Sequence, residues 1–128
     1  MPKSKLTYAQ QVAKLQKKAD RKMQEWGRDT YSKCEACSKP MVCLHHFFPK
    51  STSAALRYDD RNLIPICAGC HLQHHAGSDP RVHSTIIRKR GWDWHDEIEH
   101  IKDTKIMPSL GKPYYLDIIE EYERRSNS

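Results

Sequence analysis

The chain opens with a strongly periodic segment of apolar residues. The apolar positions recur at intervals of three or four residues: Tyr8, Val12, Leu15, Ala19, Met23 and Trp26. This spacing places them on one face of an α-helix. Lysine and arginine cover much of the remaining surface, and Gly27 is the predicted end of the helix.

Between residues 31 and 78 the pattern changes to short apolar runs separated by turn residues. Met41 to Phe48 and Asn62 to Cys67 are predicted as strands, and Pro49 to Arg61 is predicted as a polar loop between them. A helix is expected to begin near Ala68 and to end around Gly77, where a glycine C-cap precedes a new helix start.

The rest of the chain is predicted to be helical. Gly91 separates two short helices, Pro80 to Arg90 and Trp92 to Lys102, and a last helix runs from Pro113 to about Arg125. The expected fold class is therefore α+β. We expect a single domain with three segments: a basic amphipathic helix (1–30), a small metal-stapled core (31–78) and a C-terminal helical extension (79–128).

The composition limits what such a chain can be. Of 128 residues only 38% are hydrophobic, so the core is expected to be small and to need added stabilisation, such as a bound metal ion. No apolar run approaches the length of a membrane span, about 20 residues. The N-terminus has no apolar signal region, which favours a reducing, cytoplasmic compartment. In that compartment five cysteines indicate metal binding more than disulfides.

The positive charge is unevenly distributed. The net charge is +6, and residues 1–30 carry eight Lys or Arg against three Asp or Glu. Residues 31–80 have a net charge of +1, and residues 81–128 have none. A basic arm beside a nearly neutral body is typical of proteins that bind polyanions. DNA, RNA and acidic proteins are all compatible with that field.

Two cysteine pairs indicate a structural zinc site. Cys34-x2-Cys37 and Cys67-x2-Cys70 are separated by 29 residues, and each pair can supply two corners of a tetrahedron. A redox Cys-x-x-Cys motif is the alternative, but one pair would suffice for it. Cys43 is predicted to be a buried small hydrophobe.

A group of histidines lies within the segment framed by the cysteine pairs. His45 and His46 are adjacent at the end of the first predicted strand, whereas His71, His74 and His75 fall on the following helix. His71 and His75 are four residues apart and share a helix face, as two ligands of one metal must. His74 is the competing partner of His71. Asn62 lies between these elements and could fix the loop or orient an imidazole.

The order His45-His46, Asn62 and His71 between Cys-x2-Cys pairs resembles the HNH nucleases with their ββα-metal fold. The segment His71-x3-His75 is similar to that of colicin-type DNases, and the cysteine knuckles are similar to those of phage endonuclease VII. The stretches from His46 to Lys50 and from Ala55 to Leu63, followed by Arg88-Lys89-Arg90-Gly91, resemble the phage NinG (Rap) recombination nucleases.

This resemblance implies a role for each matching residue. His46 would be the general base, and Asn62 would hold the loop and orient it. His45 and His71, with His75 as third ligand, would bind one catalytic divalent cation, Mg²⁺ or Mn²⁺, with Ni²⁺ and Zn²⁺ as alternatives. Cys34, Cys37, Cys67 and Cys70 would hold the structural Zn²⁺.

Several basic residues are candidates for DNA contact. They are Lys50, Arg57, Arg61, Arg88, Lys89 and Arg90 around the presumed cleft, and Lys14, Lys17, Lys18 and Arg21 on the first helix. For Trp92 and Trp94, core packing is favoured over base stacking.

The leading function is thus a metal-dependent HNH endonuclease that leaves 5′-phosphate and 3′-hydroxyl ends. The NinG likeness implies branched recombination DNA, a phage origin and a bacterial cytoplasm. A homodimer would suit two-strand cleavage. The alternative is a non-catalytic zinc-ribbon module that binds nucleic acid, which would explain the cysteines and the basic arm but not the histidines. A redox or zinc-sensing protein is a third hypothesis.

Overall fold

The structure, a computed structural model, describes residues 5–75, 81–107 and 110–127. In chain order the elements are α1 (Tyr8–Thr30), β1 (Cys43–His46), a 3₁₀ turn (Asp60–Asn62), β2 (Leu63–Ile66), α2 (Ala68–His75), α3 (Arg81–Arg90), α4 (Trp92–Thr104) and α5 (Lys112–Ser126). Helices combined with one small sheet give the α+β class that the sequence predicts. The expected end of α2 near Gly77 lies outside the described residues.

The two strands form an antiparallel pair. Cys43 lies opposite Ile66, and His46 lies opposite Leu63. β1 is shorter than the predicted Met41 to Phe48, and the backbone N–H groups at the two ends of that range bond outside β2. The N–H of Met41 donates to the Ser32 carbonyl, and the N–H of Phe48 donates to the Asn62 side chain.

Helix α1 begins with a capping box. The Thr7 hydroxyl accepts a hydrogen bond from the Gln10 N–H, and the Gln10 side chain accepts one from the Thr7 N–H. Two N–H groups that a helix start leaves unpaired are satisfied in this way. The predicted stop at Gly27 is wrong, since α1 continues to Thr30. Gly27 instead marks a close contact, because a Cβ there would lie 2.5 Å from the Leu44 side chain.

The described chain divides into two compact units. One is made of Met1–Trp26 and Pro108–Ser128, and the other is Gly27–Met107. Helices α3 and α4 belong to the same unit as the sheet, and α5 belongs to the other. The expected division into three segments stays a prediction. None of the helices that the structure describes has the length and apolar character needed to cross a bilayer.

The first unit is held together by aromatic residues of α5. Tyr115 and Tyr122 are buried, and the Tyr115 hydroxyl accepts a hydrogen bond from the Gln16 amide. The ring of Tyr122 lies 5.6 Å from that of Trp26, and the Arg125 guanidinium lies 5.0 Å from the Trp26 ring. The apolar face that the sequence predicts for α5 is thus its packing face.

The second unit has an apolar core beneath the sheet. Its main cluster consists of Phe47, Leu56, Ile64, Ile86 and Ile98. These side chains come from the residue after β1, the loop, β2, α3 and α4, so the core ties the sheet and its loop to these two helices.

Gly91 makes the turn between α3 and α4. Its φ is 95°, which lies in the left-handed region that glycine adopts without a steric penalty. The two helices can therefore follow each other directly.

Candidate functional site

The four cysteines of the two Cys-x2-Cys pairs lie together. The sulfur atoms of Cys34, Cys37, Cys67 and Cys70 are all within 4.8 Å of one another, and those of Cys37 and Cys67 are 3.5 Å apart. Four thiolates at such distances match the donor set of a closed tetrahedral zinc site. The cluster could therefore hold the structural zinc that the sequence predicts.

The first cysteine pair sits on a tight hairpin. Lys33 and Pro40 pair as an isolated antiparallel bridge, and the Cys34 N–H donates to the Lys39 carbonyl at 2.7 Å. Ser38, directly after Cys37, has a φ of 67°. This left-handed residue turns the chain back, so that both sulfurs face the second pair.

The second cysteine pair lies at the start of helix α2, with Cys67 just before its first residue and Cys70 in its first turn. The Cys70 N–H donates to the Cys67 sulfur at 3.4 Å, and this bond is the main reason why the pKa of Cys67 falls to about 7. A lowered thiol pKa favours the thiolate, which is the form that binds metal. Burial and the neighbouring sulfurs raise the pKa of Cys70 in the same cluster.

Cys43 lies outside this cluster, on β1. Its side chain is half-buried, and burial raises the pKa of its thiol although the charge of Arg28 opposes the effect. A raised pKa makes a thiol less reactive. Cys43 packs against the cluster of Cys34, Ile66, Cys67 and Val82, but it is only partly buried, so the prediction of a buried residue is confirmed in part.

Two of the three predicted catalytic-metal ligands are neighbours. His45 is buried on β1, and its ring centroid lies 5.6 Å from that of His71 on α2, edge to face. Two imidazoles in this arrangement are suitable ligands for a divalent transition metal. The side chain of His75, the predicted third ligand, and that of its competitor His74 lie outside the described residues.

His83, on α3, also lies near the His45–His71 pair, and the sequence pattern does not indicate this. Its ring stacks on Phe47 with centroids 4.2 Å apart and lies 6.5 Å from the His45 ring. The signal in the sequence was indirect: His83 follows the core residue Val82 on a predicted helix, and only the packing of that helix reveals which side chains it meets.

His46 contacts the loop between the strands. Its Nε2 atom lies 2.8 Å from the carbonyl oxygen of Arg57. A carbonyl oxygen can only accept, so Nε2 carries the proton in this hydrogen bond. In the neutral imidazole the lone pair is then on Nδ1, which is the atom that can accept a proton.

Asn62 is completely buried and holds both ends of the same loop. Its Oδ1 accepts from the Phe48 N–H at 2.8 Å, and its Nδ2 donates to the carbonyls of Phe48 and Leu56 at 3.0 and 3.2 Å. Phe48 lies two residues after the end of β1, and Leu56 directly precedes Arg57. Asn62 therefore holds the backbone next to the carbonyl that contacts His46.

Three of the predicted DNA-contacting residues make bonds within the protein. Arg61 pairs with Asp59 at 2.7 Å and with Glu97. Arg90 forms two hydrogen bonds to the Glu35 carboxylate, at 2.6 and 2.7 Å. Lys89 donates to the Glu35 carbonyl. These contacts join α3 and α4 to the cysteine hairpin and the loop.

The other basic candidates lie at the surface. Lys50 and Arg88 are exposed, whereas Arg57 is half-buried beside Tyr58. Lys14, Lys17, Lys18 and Arg21 belong to the first unit, where they line a groove together with Leu15 and Leu116. The DNA-binding role of all these residues stays a prediction.

The two tryptophans of α4 have different environments. Trp94 packs against Phe47 at 4.9 Å and donates from its indole nitrogen to the Arg61 carbonyl. Its position agrees with the predicted core packing. Trp92 is 64% exposed, so core packing does not describe it.

Comparison with known proteins supports one family for the central segment. The model of the HNH endonuclease family matches residues 34–77, which include both cysteine pairs, His45, His46 and Asn62. The chain is also 35% identical over 63 residues to a mitochondrial DNA mismatch repair protein mutS homolog from Sarcophyton glaucum. That match covers 46% of this chain and 6% of the relative. No solved structure matches the chain.

Proposed function

We propose that this chain is a metal-dependent HNH endonuclease that hydrolyses DNA phosphodiester bonds to 5′-phosphate and 3′-hydroxyl ends. The family match at residues 34–77 supports a nuclease-type domain. The observation that carries the catalytic assignment is the 2.8 Å contact between His46 Nε2 and the Arg57 carbonyl, because it leaves Nδ1 as the basic atom.

His46 is the general base in this proposal. Its Nδ1 accepts a proton from the attacking water, while the Arg57 carbonyl holds the ring in the required tautomer. Asn62 keeps that carbonyl in place through its bonds to the loop. A positioned base contributes about 10²–10⁴-fold to the rate.

His45 and His71 would hold the catalytic cation, with His75 as a third ligand. Their imidazoles are a donor set best suited to Ni²⁺ or Zn²⁺, whereas Mg²⁺ and Mn²⁺ favour oxygen ligands, which water and the substrate phosphate would supply. Such a cation supplies charge neutralisation at the phosphate and at the leaving 3′ oxygen. The four cysteines would hold a separate zinc ion that contributes to folding.

We further propose a preference for branched DNA in a phage context, on the strength of the NinG-like segments. Initial cleavage rates of a four-way junction and of a linear duplex of the same sequence test it, and equal rates would contradict it. A homodimer is proposed as the form that cuts two strands, and light scattering on the purified protein measures its mass.

The decisive experiment compares four proteins on supercoiled plasmid with Mg²⁺, Mn²⁺ or no added metal. Wild type is expected to cleave with metal, and His46→Ala and His46→Gln are expected not to. His46→Gln is informative because glutamine still donates to the Arg57 carbonyl but cannot accept a proton. His100→Ala, an exposed histidine of α4, is the matched control and should cleave normally.

The products and the zinc content complete this test. Nicked plasmid that DNA ligase reseals without further treatment has the proposed 5′-phosphate and 3′-hydroxyl ends. Each variant must retain the zinc content of wild type, so that a lost fold is not mistaken for a lost base. DNA binding without cleavage by any protein would instead favour the zinc-ribbon binding module.

A further inference from the structure

An open cleft lies beside Trp92 on the unit that carries the histidines. It has a volume of about 460 Å³ and is lined by Ser84, Ile87, Arg88, Gly91 and Trp92. That volume is within the range of small-ligand sites, roughly 300–1,000 Å³. Trp92 is 64% exposed, so much of its ring is accessible to a ligand in the cleft.

The cleft lies close to the candidate catalytic residues around helix α3. His83 of α3 faces Phe47 and His45. At 100° per residue, the lining positions 84, 87, 88 and 91 are centred about a quarter turn around the helix from His83. The cleft therefore opens on the side of α3 next to the histidine cluster.

A series of aromatic contacts also connects the cleft with the end of β1. The ring of Trp92 lies 5.0 Å from that of His95. The His95 ring is in turn 5.9 Å from Phe47 and 5.8 Å from Phe48, the two residues that follow His46. Trp92 is thus held at a fixed place, two ring contacts from the strand that carries the proposed base.

The charge of the cleft comes from Arg88. The two basic residues that follow it, Lys89 and Arg90, are both bonded to Glu35. The side chain of Arg88 is exposed and makes no hydrogen bond or ion pair with the residues that the structure describes. None of the described residues that line the cleft is acidic, although the exposed Asp93 follows Trp92 in the chain. The cleft therefore combines a flat aromatic surface with one available cation.

We propose that this cleft is a stacking subsite for an unpaired nucleobase of the DNA, with Arg88 contacting the neighbouring phosphate. The inference rests on the proposed function, because it assumes that DNA is the substrate. Aromatic side chains bind bases through their π-faces, which are accessible only when the base is not paired within a duplex. The subsite would direct the nuclease toward DNA with unpaired bases near the cleaved bond.

The test measures binding separately from cleavage. All proteins carry His46→Gln, so that the DNA stays intact, and binding is measured without added divalent metal. The probes are a fully paired duplex and the same duplex with one unpaired 2-aminopurine. The parent protein is expected to bind the unpaired probe more tightly and to quench its fluorescence by stacking.

Trp92→Ala is expected to weaken binding of the unpaired probe by about 5- to 100-fold and to abolish the quenching. Binding of the paired duplex should be unchanged. Trp92→Phe should retain most of the preference. Arg88→Ala should weaken binding of both probes and lower the salt dependence by about one counterion. Tyr31→Ala, an exposed aromatic outside the cleft lining, is the matched control and should bind as the parent does.

Two results would overturn the inference. One is equal binding of both probes by the parent protein, and the other is a Trp92→Ala variant with unchanged preference and quenching. Absence of binding to either probe would also overturn it. The failure of the proposed function is seen elsewhere, as absence of plasmid cleavage by the protein that retains His46. The two failures are therefore distinguishable.

Discussion

The side-chain amide of Asn62 binds both backbone polar groups of Phe48. Its Oδ1 accepts from the Phe48 N–H, and its Nδ2 donates to the Phe48 carbonyl. The same amide also donates to the Leu56 carbonyl. A single buried side chain thus substitutes for a sheet partner and closes the loop between the strands.

Asn62→Ala is expected to destabilise the protein by about 2–4 kcal/mol. The substitution removes three hydrogen bonds, each worth about 0.5–1.5 kcal/mol, and leaves buried backbone groups unpaired. Asn62→Asp should be no better, because a carboxylate cannot donate to the two carbonyls. Urea unfolding measures both, and an unchanged midpoint for either variant would contradict this role. Cleavage should fall in parallel, since the Arg57 carbonyl would no longer be fixed.

Gly27→Ala is expected to destabilise the protein although alanine favours helix. The added Cβ would lie 2.5 Å from Leu44 Cγ and Cδ1, and Leu44 is itself buried. Overpacking of this kind costs about 1–3 kcal/mol, against a gain in helix propensity of about 1 kcal/mol.

The matched control for this prediction is Gly69→Ala in α2. No atom lies within 4 Å of a Cβ at that position, so only the helix-propensity gain should remain. The two variants should shift the unfolding midpoint in opposite directions. Equal shifts would mean that the contact with Leu44 does not destabilise Gly27→Ala, which would contradict the prediction.

Asp59→Asn is expected to flatten the acid side of the stability profile. Burial acts to raise the pKa of Asp59, but hydrogen bonds from Arg61 outweigh it and hold the pKa below its ordinary value. A carboxyl with a lowered pKa in the folded state stabilises the protein above its unfolded pKa, about 3.9. That stability is lost as the pH falls through the folded value.

The measurement is the free energy of unfolding of wild type and Asp59→Asn between pH 7 and pH 2. The difference should be at most about 1 kcal/mol, because Arg61 is largely exposed and solvent screens the pair. Arg61→Ala should remove the same pH-dependent component. A wild-type profile as flat as that of the variants would contradict the prediction.

Cys34→Ser is expected to remove the zinc, whereas Cys43→Ser should not. Cys34 belongs to the group of four neighbouring sulfurs, and Cys43 lies outside it. Zinc binding at such sites contributes directly to folding free energy. Mass spectrometry under native conditions should find one zinc per chain in wild type and in Cys43→Ser, and none in Cys34→Ser. Equal zinc content in both variants would contradict the assignment even if one of them folds poorly.

The sequence predicted most elements but not the contacts between them. Helix α1 and the helices on either side of Gly91 follow from local spacing and from glycine punctuation, which act within a few residues. The cysteine cluster could be predicted because metal coordination dictates spacing. The proximity of His83 to Phe47 could not, since it depends on how α3 is rotated against the sheet.

The partners of the basic residues and the burial of the tryptophans also depend on contacts between distant elements. Composition identifies Arg61, Lys89 and Arg90 as cations, but it does not reveal that Glu97 and Glu35 lie beside them. Trp92 and Trp94 are two residues apart on one helix, so they point in different directions. Only the position of α4 against Phe47 determines which of them is buried.

Arg90 couples the stability of the cysteine cluster to that of the loop around His46. Its guanidinium binds the Glu35 carboxylate, inside the first cysteine pair, and also donates to the carbonyls of Arg61 and Leu63 on either side of Asn62. An ion that orders the cysteine hairpin therefore also favours the loop geometry around His46. Linkage makes the effect reciprocal: whatever steadies the loop, including bound DNA, should tighten the hold on zinc.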